Sequence, residues 1–291
     1  MSERDDVRRL REPGWWRGWN RLTVSDAASF EPIRFSRATL ALAQSELGSE
    51  GWAQLLRPFE DDLIERLREG VLALRARGLP AVFLWVYDET WMLFARLDAV
   101  WREMLGDSYR FLPCFWAWYI PVGADRSGWP PHRDRSKGPP TVSPDGRPLT
   151  MSAWIPLGRA TPANGCMYLV PAPWTVKNRS LIRPQDARAL PADPGDVLIW
   201  RQDIWHWGGR SSGQATEPRI SVSLEIQAGT EVRYEGPLLD PGRPPSLGHR
   251  LGLIGANILR YRHFEANKKL AALGAELVRA LADVDDQGPL G

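Results

Sequence analysis

Apolar positions divide the chain into a helical first part, a strand-rich middle and a helical end. Residues 59–78 and 89–105 carry apolar side chains near helical spacing, each run closed by a glycine, and both predict helices. The run from Pro80 to Tyr87 is rich in β-branched and aromatic residues, which favours a strand. From Tyr109 onward, Gly and Pro separate short apolar runs, which predicts strands over residues 111–120, 149–157, 166–170, 196–200 and 220–226.

The two ends of the chain are predicted to brace this middle. Residues 1–28 are charged and then aromatic, and we expect Trp15, Trp16 and Trp19 to pack onto the main body. After Gly248, leucine and isoleucine recur at helical spacing, which predicts a helical tail. Its leucine stripe either packs on the protein's own core, the commoner arrangement, or pairs subunits in a homo-oligomer. Helices, then strands, then helices predict an α+β fold.

Two ligand-type side chains, His132 and Asp134, stand at positions i and i+2. In extended backbone this spacing points both to the same side, about 7 Å apart. His206 lies in a strand-like run about seventy residues further on, and Arg219 opens another strand thirteen residues after it. Two imidazoles and a carboxylate suit a divalent first-row metal. Each residue alone says little, but their order predicts an iron site with an anchor for a dicarboxylate co-substrate.

Polar and apolar residues alternate along residues 219–226, with Arg219, Ser221, Ser223 and Glu225 on one face. An ordinary half-buried strand turns such a face to water. Inside a barrel, the same face would line a cavity wet enough for an anionic co-substrate, which arginine binds through its planar fork. The strand alone leaves both interpretations open.

Further candidates concern the substrate. Trp116 and Trp118 share one face of their strand, which suits either a pocket for a flat, hydrophobic substrate or plain core packing. Arg133, Arg135 and Arg201 flank the predicted ligands and either meet an anionic group of the substrate or remain solvated charges. We expect the segment of residues 137–148, rich in Pro, Gly and Ser, to be a mobile flap over the site.

Composition narrows the class of protein. With 43% apolar residues, the 291-residue chain is long enough to bury a sizeable core as one large domain. The net charge is +2 and no long basic run is present, so the composition gives no indication of a nucleic-acid-binding surface. No apolar run approaches the ~20 residues that a membrane span needs. The charged N-terminus lacks the apolar segment of a secretory signal, and Cys114 and Cys166 are expected to be buried, reduced thiols. We therefore expect a cytoplasmic protein that acts on a small molecule.

Four passages of the chain carry a family resemblance. They are the approach to the His-x-Asp pair from Gly128, the run Met-Ser-Ala-Trp-Ile-Pro-Leu over residues 151–157, the run Asn-Gly-Cys-Met-Tyr-Leu-Val-Pro over residues 164–171, and residues 194–208 around the distal histidine. In this order they resemble the phytanoyl-CoA dioxygenase family of Fe(II)/2-oxoglutarate-dependent oxygenases. The resemblance runs from about residue 111 to residue 226.

This resemblance implies a double-stranded β-helix core of the jelly-roll type, braced by the N- and C-terminal helices. It also implies roles for individual residues. Iron is expected on His132, Asp134 and His206, and the C5 carboxylate of 2-oxoglutarate on Arg219. The expected supporting contacts to the co-substrate come from Trp154, Trp116, Ser221 and Ser223. One departure is Gly208, where the family often carries a serine two residues after the distal histidine; Ser221 or Ser223 is expected to supply that hydroxyl.

The expected activity is hydroxylation of a small molecule by Fe(II), 2-oxoglutarate and O2, with release of succinate and CO2. Related halogenases replace the acidic ligand by a small residue, whereas Asp134 is present here. The alternatives are a cupin-like metalloprotein that does not use 2-oxoglutarate, and a non-catalytic binding protein on the same fold. A single oxygenase domain is expected, with an N-terminal arm (1–28), a helical and β support (29–108), the β-helix core (109–228), and a loop with C-terminal helices (229–291).

Overall fold

Two antiparallel sheets form the centre of the computed structural model, which describes residues 8–25, 30–123, 128–230, 232–263 and 267–285. The larger sheet has the strand order β1-β6-β3-β8-β2, and the smaller one the order β5-β4-β7. The strands are β1 (Trp52–Leu55), β2 (Arg110–Ile120), β3 (Thr150–Pro156), β4 (Met167–Leu169), β5 (Arg188–Leu190), β6 (Val197–Arg201), β7 (His206–Gly208) and β8 (Arg219–Gln227). All five strands predicted for the middle of the chain are present, with ends shifted by a residue or so.

Alternation along the central strands separates the two faces of the larger sheet. On β8, Val222 and Leu224 belong to the core under the helices, whereas Arg219 and Ser221 point the other way. Arg219 is only 1% exposed and Ser221 is fully buried, so the polar face of β8 is turned into the protein and not to water. The cavity interpretation of this strand is therefore confirmed.

Helices cover the outer face of the larger sheet. They are α1 (Pro13–Trp16), α2 (Arg37–Ser49), α3 (Asp61–Ala76), α4 (Asp88–Ala95), α5 (Asp98–Leu105), α6 (Leu247–Arg260) and α7 (Lys268–Asp285). Helix α2 begins at Ser36, whose hydroxyl accepts the backbone N–H of Thr39 at 3.0 Å, a standard N-terminal cap. Neither α2 nor β1 was predicted, and the single helix predicted over residues 89–105 is divided into α4 and α5.

The strand predicted between Pro80 and Tyr87 is wrong. Residues Ala81–Val86 form a 3₁₀ helix, and all six are buried. Because this segment is surrounded by protein on every side, it is apolar throughout and carries no period that would distinguish a helix from a strand.

Both ends of the described chain pack on this core. Trp16 is fully buried, stacks on Phe83 with ring centroids 5.9 Å apart and contacts Trp15 and Trp19, as predicted for the arm. Helices α6 and α7 cross closely at Gly255, where an added Cβ would lie 2.6 Å from a backbone oxygen of α7. The helical tail thus packs on its own core. None of the helices in the described ranges is both long and apolar enough to span a membrane.

Candidate metal and co-substrate site

A pair of backbone hydrogen bonds brings the two predicted metal-binding segments together. The N–H of His132 donates to the carbonyl of His206 at 3.1 Å, and the N–H of His206 donates back at 3.0 Å. As a result, one ligand atom each from His132, Asp134 and His206 lies within 4.8 Å of the others. Oδ1 of Asp134 lies 3.4 Å from Nε2 of His132 and 3.3 Å from Nε2 of His206. Two imidazoles and a carboxylate on one face are the donor set of a non-haem iron site.

The two carboxylate oxygens of Asp134 have different partners. While Oδ1 faces the imidazoles, Oδ2 accepts a hydrogen bond from Oγ of Ser152 at 2.6 Å and from Nε1 of Trp200 at 3.3 Å. The hydroxyl of Ser152 in turn accepts from Nε2 of Gln202 at 3.0 Å. These contacts fix the carboxylate so that a single oxygen points at the metal position, as outer partners of metal ligands commonly do.

Backbone carbonyls orient both imidazoles. Nδ1 of His132 lies 2.8 Å from the carbonyl of Pro130, and Nδ1 of His206 lies 3.3 Å from that of Ile204. Because a carbonyl can only accept, each Nδ1 carries the proton and each Nε2 presents its lone pair toward the common centre.

Electrostatics at this centre favour positive charge. Burial opposes ionisation of Asp134, but the two neighbouring imidazoles hold the pKa of this carboxyl well below its ordinary value. Burial likewise opposes protonation of His132, yet the contact with Asp134 raises the pKa of this imidazole above its ordinary value. The residues therefore fit a divalent cation in both donor chemistry and charge.

Arg219 lines the same cavity as the candidate metal ligands. Its guanidinium is buried, and Nη1 donates to the carbonyl of Gly165 at 2.6 Å. Among the described residues, no carboxylate pairs with it, and its Nε makes no hydrogen bond. Burial lowers the pKa of Arg219 to about 10. A buried guanidinium with unused donors suits a carboxylate ligand, which would compensate for the lost hydration.

Two glycines make room for this guanidinium. A Cβ on Gly128 would lie 2.6 Å from Nη2 of Arg219, and a Cβ on Gly208 would collide with Nη1 and lie 2.9 Å from Nη2. This gives a physical reason for Gly208, the position where the family often carries serine: any side chain there would occupy the space of the guanidinium.

These groups line a common cavity. Seven of the predicted site residues line it: His132, Asp134, His206, Arg219, Trp154, Ser223 and Trp118. Ser221 and Trp116 are buried beside it but do not contribute to the described lining. Trp116 packs edge-on against Tyr261 with ring centroids 5.3 Å apart, and the Ser221 hydroxyl has no hydrogen-bond partner among the described residues.

The three arginines predicted near the mouth do not reach the described lining of the cavity. Arg133 donates to two backbone carbonyls of the 176–177 loop, both at 2.7 Å. Arg135 forms an ion pair with Glu225 at 2.7 Å, and Arg201 forms a bidentate ion pair with Asp203 at 2.7 and 3.0 Å. Their guanidinium groups are occupied by the protein itself, so this geometry gives no support to their predicted contact with substrate.

Several residues that line or support the site had no predicted role there. Ser152 and Trp200 hold Asp134, and Trp129, Glu225 and Tyr261 line the cavity. Alternation places Glu225 on the same face of β8 as Arg219, and Ser152 on the same inward face of β3 as Trp154, but it assigns neither residue a contact. Tyr261 follows the end of α6, and no local pattern connects it with the strands.

Solved structures of low sequence identity share this fold. One is the non-heme alpha ketoglutarate dependent epimerase SnoN from nogalamycin biosynthesis, with a TM-score of 0.53 and 17% identity over 72% of this chain and 93% of that one. Another is EctD from S. alaskensis, with a TM-score of 0.53 and 18% identity over 76% and 92%. The carbocyclase SnoK from nogalamycin biosynthesis gives a TM-score of 0.53 and 14% identity over 76% and 97%. No curated protein matches in sequence.

Fold, donor set and family match together define the class: a non-haem iron, 2-oxoglutarate-dependent dioxygenase. The resemblance to the phytanoyl-CoA dioxygenase family is confirmed, since the model of that family matches residues 86–220. The matched segment includes all three candidate metal ligands and Arg219, and it stops short of the helical tail.

Proposed function

We propose that the chain hydroxylates a small molecule, with His132, Asp134 and His206 as the ligands of Fe(II) and Arg219 as the anchor of 2-oxoglutarate. The two facing sheets then correspond to the halves of a double-stranded β-helix within a single oxygenase domain. The N-terminal arm, the helical support and the C-terminal helices brace this core from outside. Succinate and CO2 are the expected co-products.

The observation that carries this proposal is that the guanidinium of Arg219 is buried without a carboxylate partner among the described residues. A buried guanidinium without a carboxylate counter-ion is costly, because its lost hydration is not compensated within the described protein. It opens into the same cavity as the three metal ligands. A dicarboxylate that reaches from the metal to Arg219 would supply the missing counter-ion. A metalloprotein that uses no 2-oxoglutarate has no need for this arrangement.

The residues of the chain perform binding, orientation and exclusion of water. Fe(II) with 2-oxoglutarate supplies the oxidising power when both are bound, by coupling reduction of O2 to decarboxylation of the co-substrate. Ser152 and Trp200 hold Asp134 so that one oxygen remains for the metal. Trp154, 1% exposed, covers the floor of the cavity and keeps bulk water from it. Because the carboxylate of Asp134 keeps its place in the ligand set, oxygen transfer is favoured over halogenation.

Binding of the co-substrate is tested by anaerobic addition of 2-oxoglutarate to Fe(II)-loaded protein. The expected result is a weak charge-transfer band in the visible region, which requires both components at one site. Arg219→Ala should weaken 2-oxoglutarate binding by about 2–5 kcal/mol, the usual loss when one partner of a buried charge pair is removed. Iron affinity should be retained, because Arg219 donates to none of the three ligands.

Arg159→Ala is the matched control, since that arginine is 67% exposed and pairs with Asp193 on the surface. If Arg219→Ala bound 2-oxoglutarate as tightly as the wild type, Arg219 would not be the anchor of the co-substrate. Absence of the band in fully metallated protein would favour the cupin-like alternative. A band without succinate formation, across amines, alcohols and acids of suitable size, would favour a non-catalytic binding protein.

A further inference from the structure

The cavity has two chemically different ends. Arg219 and Glu225 lie on the same face of β8, six residues apart, which is roughly 20 Å of extended strand. The co-substrate anchor therefore occupies one end of the wall, and a carboxylate occupies the other. By strand register, Glu225 lies opposite Ser152, which holds the metal ligand Asp134. The Glu225 end is thus the part of the cavity that remains for a substrate beside the metal.

Aromatic rings line the wall between the two ends; by strand register, Trp118 lies opposite Ser221, between Arg219 and Glu225. The rings of Trp129 and Tyr261 lie 4.4 Å apart between centroids, and Trp118 meets Trp129 edge-on at 5.4 Å. Trp129 also lies against the imidazole of His132, with centroids 5.6 Å apart, so the aromatic wall reaches the metal position. Aromatic faces attract flat apolar groups and, through their negative quadrupole, cations.

Basic groups are missing from the same region. Apart from Arg219 and the histidine pair, none of the described residues that line the cavity carries a positive charge. Arg135 and Arg260 lie nearby, but each is turned to a carboxylate: Arg135 to Glu225 at 2.7 Å, and Arg260 to Glu235 at 2.8 Å. Of this cluster of two arginines and two acids, Glu225 is the member that lines the cavity.

The ion pair of Glu225 is also one-sided. Arg135 contacts Oε2 of the carboxylate and divides its remaining donors among Gln202, Glu235 at 3.7 Å and a backbone carbonyl. The pair fixes the carboxylate in place, and the Glu225 side chain remains part of the cavity lining. A fixed carboxylate at the edge of an aromatic wall is the arrangement that recognises an ammonium group.

We propose, building on the function assigned above, that the substrate is an amine whose ring packs against Trp118, Trp129 and Tyr261 and whose ammonium group faces Glu225. Glu225 is then the specificity-determining residue, and carboxylate-bearing substrates are excluded by the negative charge at this end of the cavity. The C–H bond to be oxidised lies on the part of the substrate nearest the metal ligands.

Three matched probes test this charge preference: 2-phenylethylammonium, 2-phenylethanol and phenylacetate. Each is titrated by calorimetry at pH 8, above the pKa of about 7 that burial gives the Glu225 carboxyl, into the anaerobic protein loaded with Fe(II) and 2-oxoglutarate. The ammonium probe should bind at least about tenfold more tightly than phenylacetate, a difference of about 1.4 kcal/mol, with the alcohol between them. Equal or tighter binding of phenylacetate, or no saturable binding of the ammonium probe, would overturn the proposal.

Glu225→Gln should reduce the preference for the ammonium probe over phenylacetate to less than about threefold. Glu235→Gln is the control, because Glu235 contacts the same Arg135 but does not line the cavity, and it should keep the full preference. If Glu225→Gln kept the preference for the ammonium probe, Glu225 would not be the residue that determines this specificity. The charge-transfer band of 2-oxoglutarate, recorded in every sample, separates failure of this proposal from failure of the proposed function, since the band depends on Arg219 and the metal ligands alone.

Discussion

Gly208→Ala is the sharpest test of the proposed co-substrate anchor, because it displaces the side chain of Arg219 without replacing the arginine. The added methyl group would collide with Nη1 and lie 2.9 Å from Nη2 of Arg219. Ordinary contacts need about 3.5–4.0 Å, so the guanidinium must move by roughly 0.5–1 Å. It cannot move freely, since the backbone of Gly128 is close to Nη2, where a Cβ would lie at 2.6 Å.

The magnitude follows from the contact that this movement breaks. Nη1 of Arg219 donates to the carbonyl of Gly165 at 2.6 Å, and both groups are buried. Loss of one such charged hydrogen bond costs about 1–3 kcal/mol. The displaced guanidinium would also lose a charged hydrogen bond to the co-substrate carboxylate, again about 1–3 kcal/mol, so the dissociation constant for 2-oxoglutarate should rise by roughly 5- to 150-fold.

Anaerobic titration with 2-oxoglutarate, followed by the visible charge-transfer band, measures this effect. Iron affinity, measured by competition with a chelator, should stay within about twofold of the wild-type value, since the ligand atoms of His206 are not displaced. Gly213→Ala is the control, because no atom lies within 4 Å of the added methyl group. A Gly208→Ala protein that binds 2-oxoglutarate like the wild type would refute the role assigned to Arg219.

Three further results are expected. Ser152→Ala removes the 2.6 Å hydrogen bond to Oδ2 of Asp134, so iron affinity should fall roughly 10- to 100-fold in chelator competition, and an unchanged value would exclude the orienting role. Burial raises the pKa of Glu225 from 4.5 to about 7, so the folded protein favours the protonated carboxyl and loses stability as the pH rises through this range. In urea unfolding of the metal-free protein, wild type should therefore lose on the order of 1–3 kcal/mol relative to Glu225→Gln between pH 4.5 and 7, and a constant difference would contradict this. Gly255→Ala places a methyl group 2.6 Å from a carbonyl oxygen of α7 and should lower the free energy of unfolding by about 1–3 kcal/mol, whereas Gly248→Ala, with open space around it, should not.

The candidate site is the part of the molecule that the sequence predicts best. His132, Asp134, His206 and Arg219 are polar residues in a recognisable order, two of them in strand-like runs, and the family model matches a segment that contains all four. Alternation in β8 also predicts which side chains share a face. It does not predict whether that face is wet, because a half-buried strand and a cavity wall have the same pattern; the burial of Arg219 decides this point.

What escaped prediction depends on contacts between distant parts of the chain. The Ala81–Val86 segment is buried on all sides, so every position is apolar. Its sequence therefore indicates burial but does not distinguish a helix from a strand. Tyr261 reaches the cavity from the C-terminal helices, far along the chain from the strands. The sequence does not show the partners of Arg133 and Arg201; in the structure, backbone carbonyls and the carboxylate of Asp203 accept their hydrogen bonds.

The reciprocal backbone pairing of His132 with His206 has a consequence for how the enzyme matures. Because main-chain hydrogen bonds already join the two segments at 3.0 and 3.1 Å, folding does not wait for the ion to cross-link them. The polypeptide is expected to reach its final shape first and to acquire iron afterwards as a separate, reversible step. The divalent ion that is most available at that moment is expected to bind to the three ligands, so activity in a given preparation should follow the history of metal exposure more closely than the amount of folded protein.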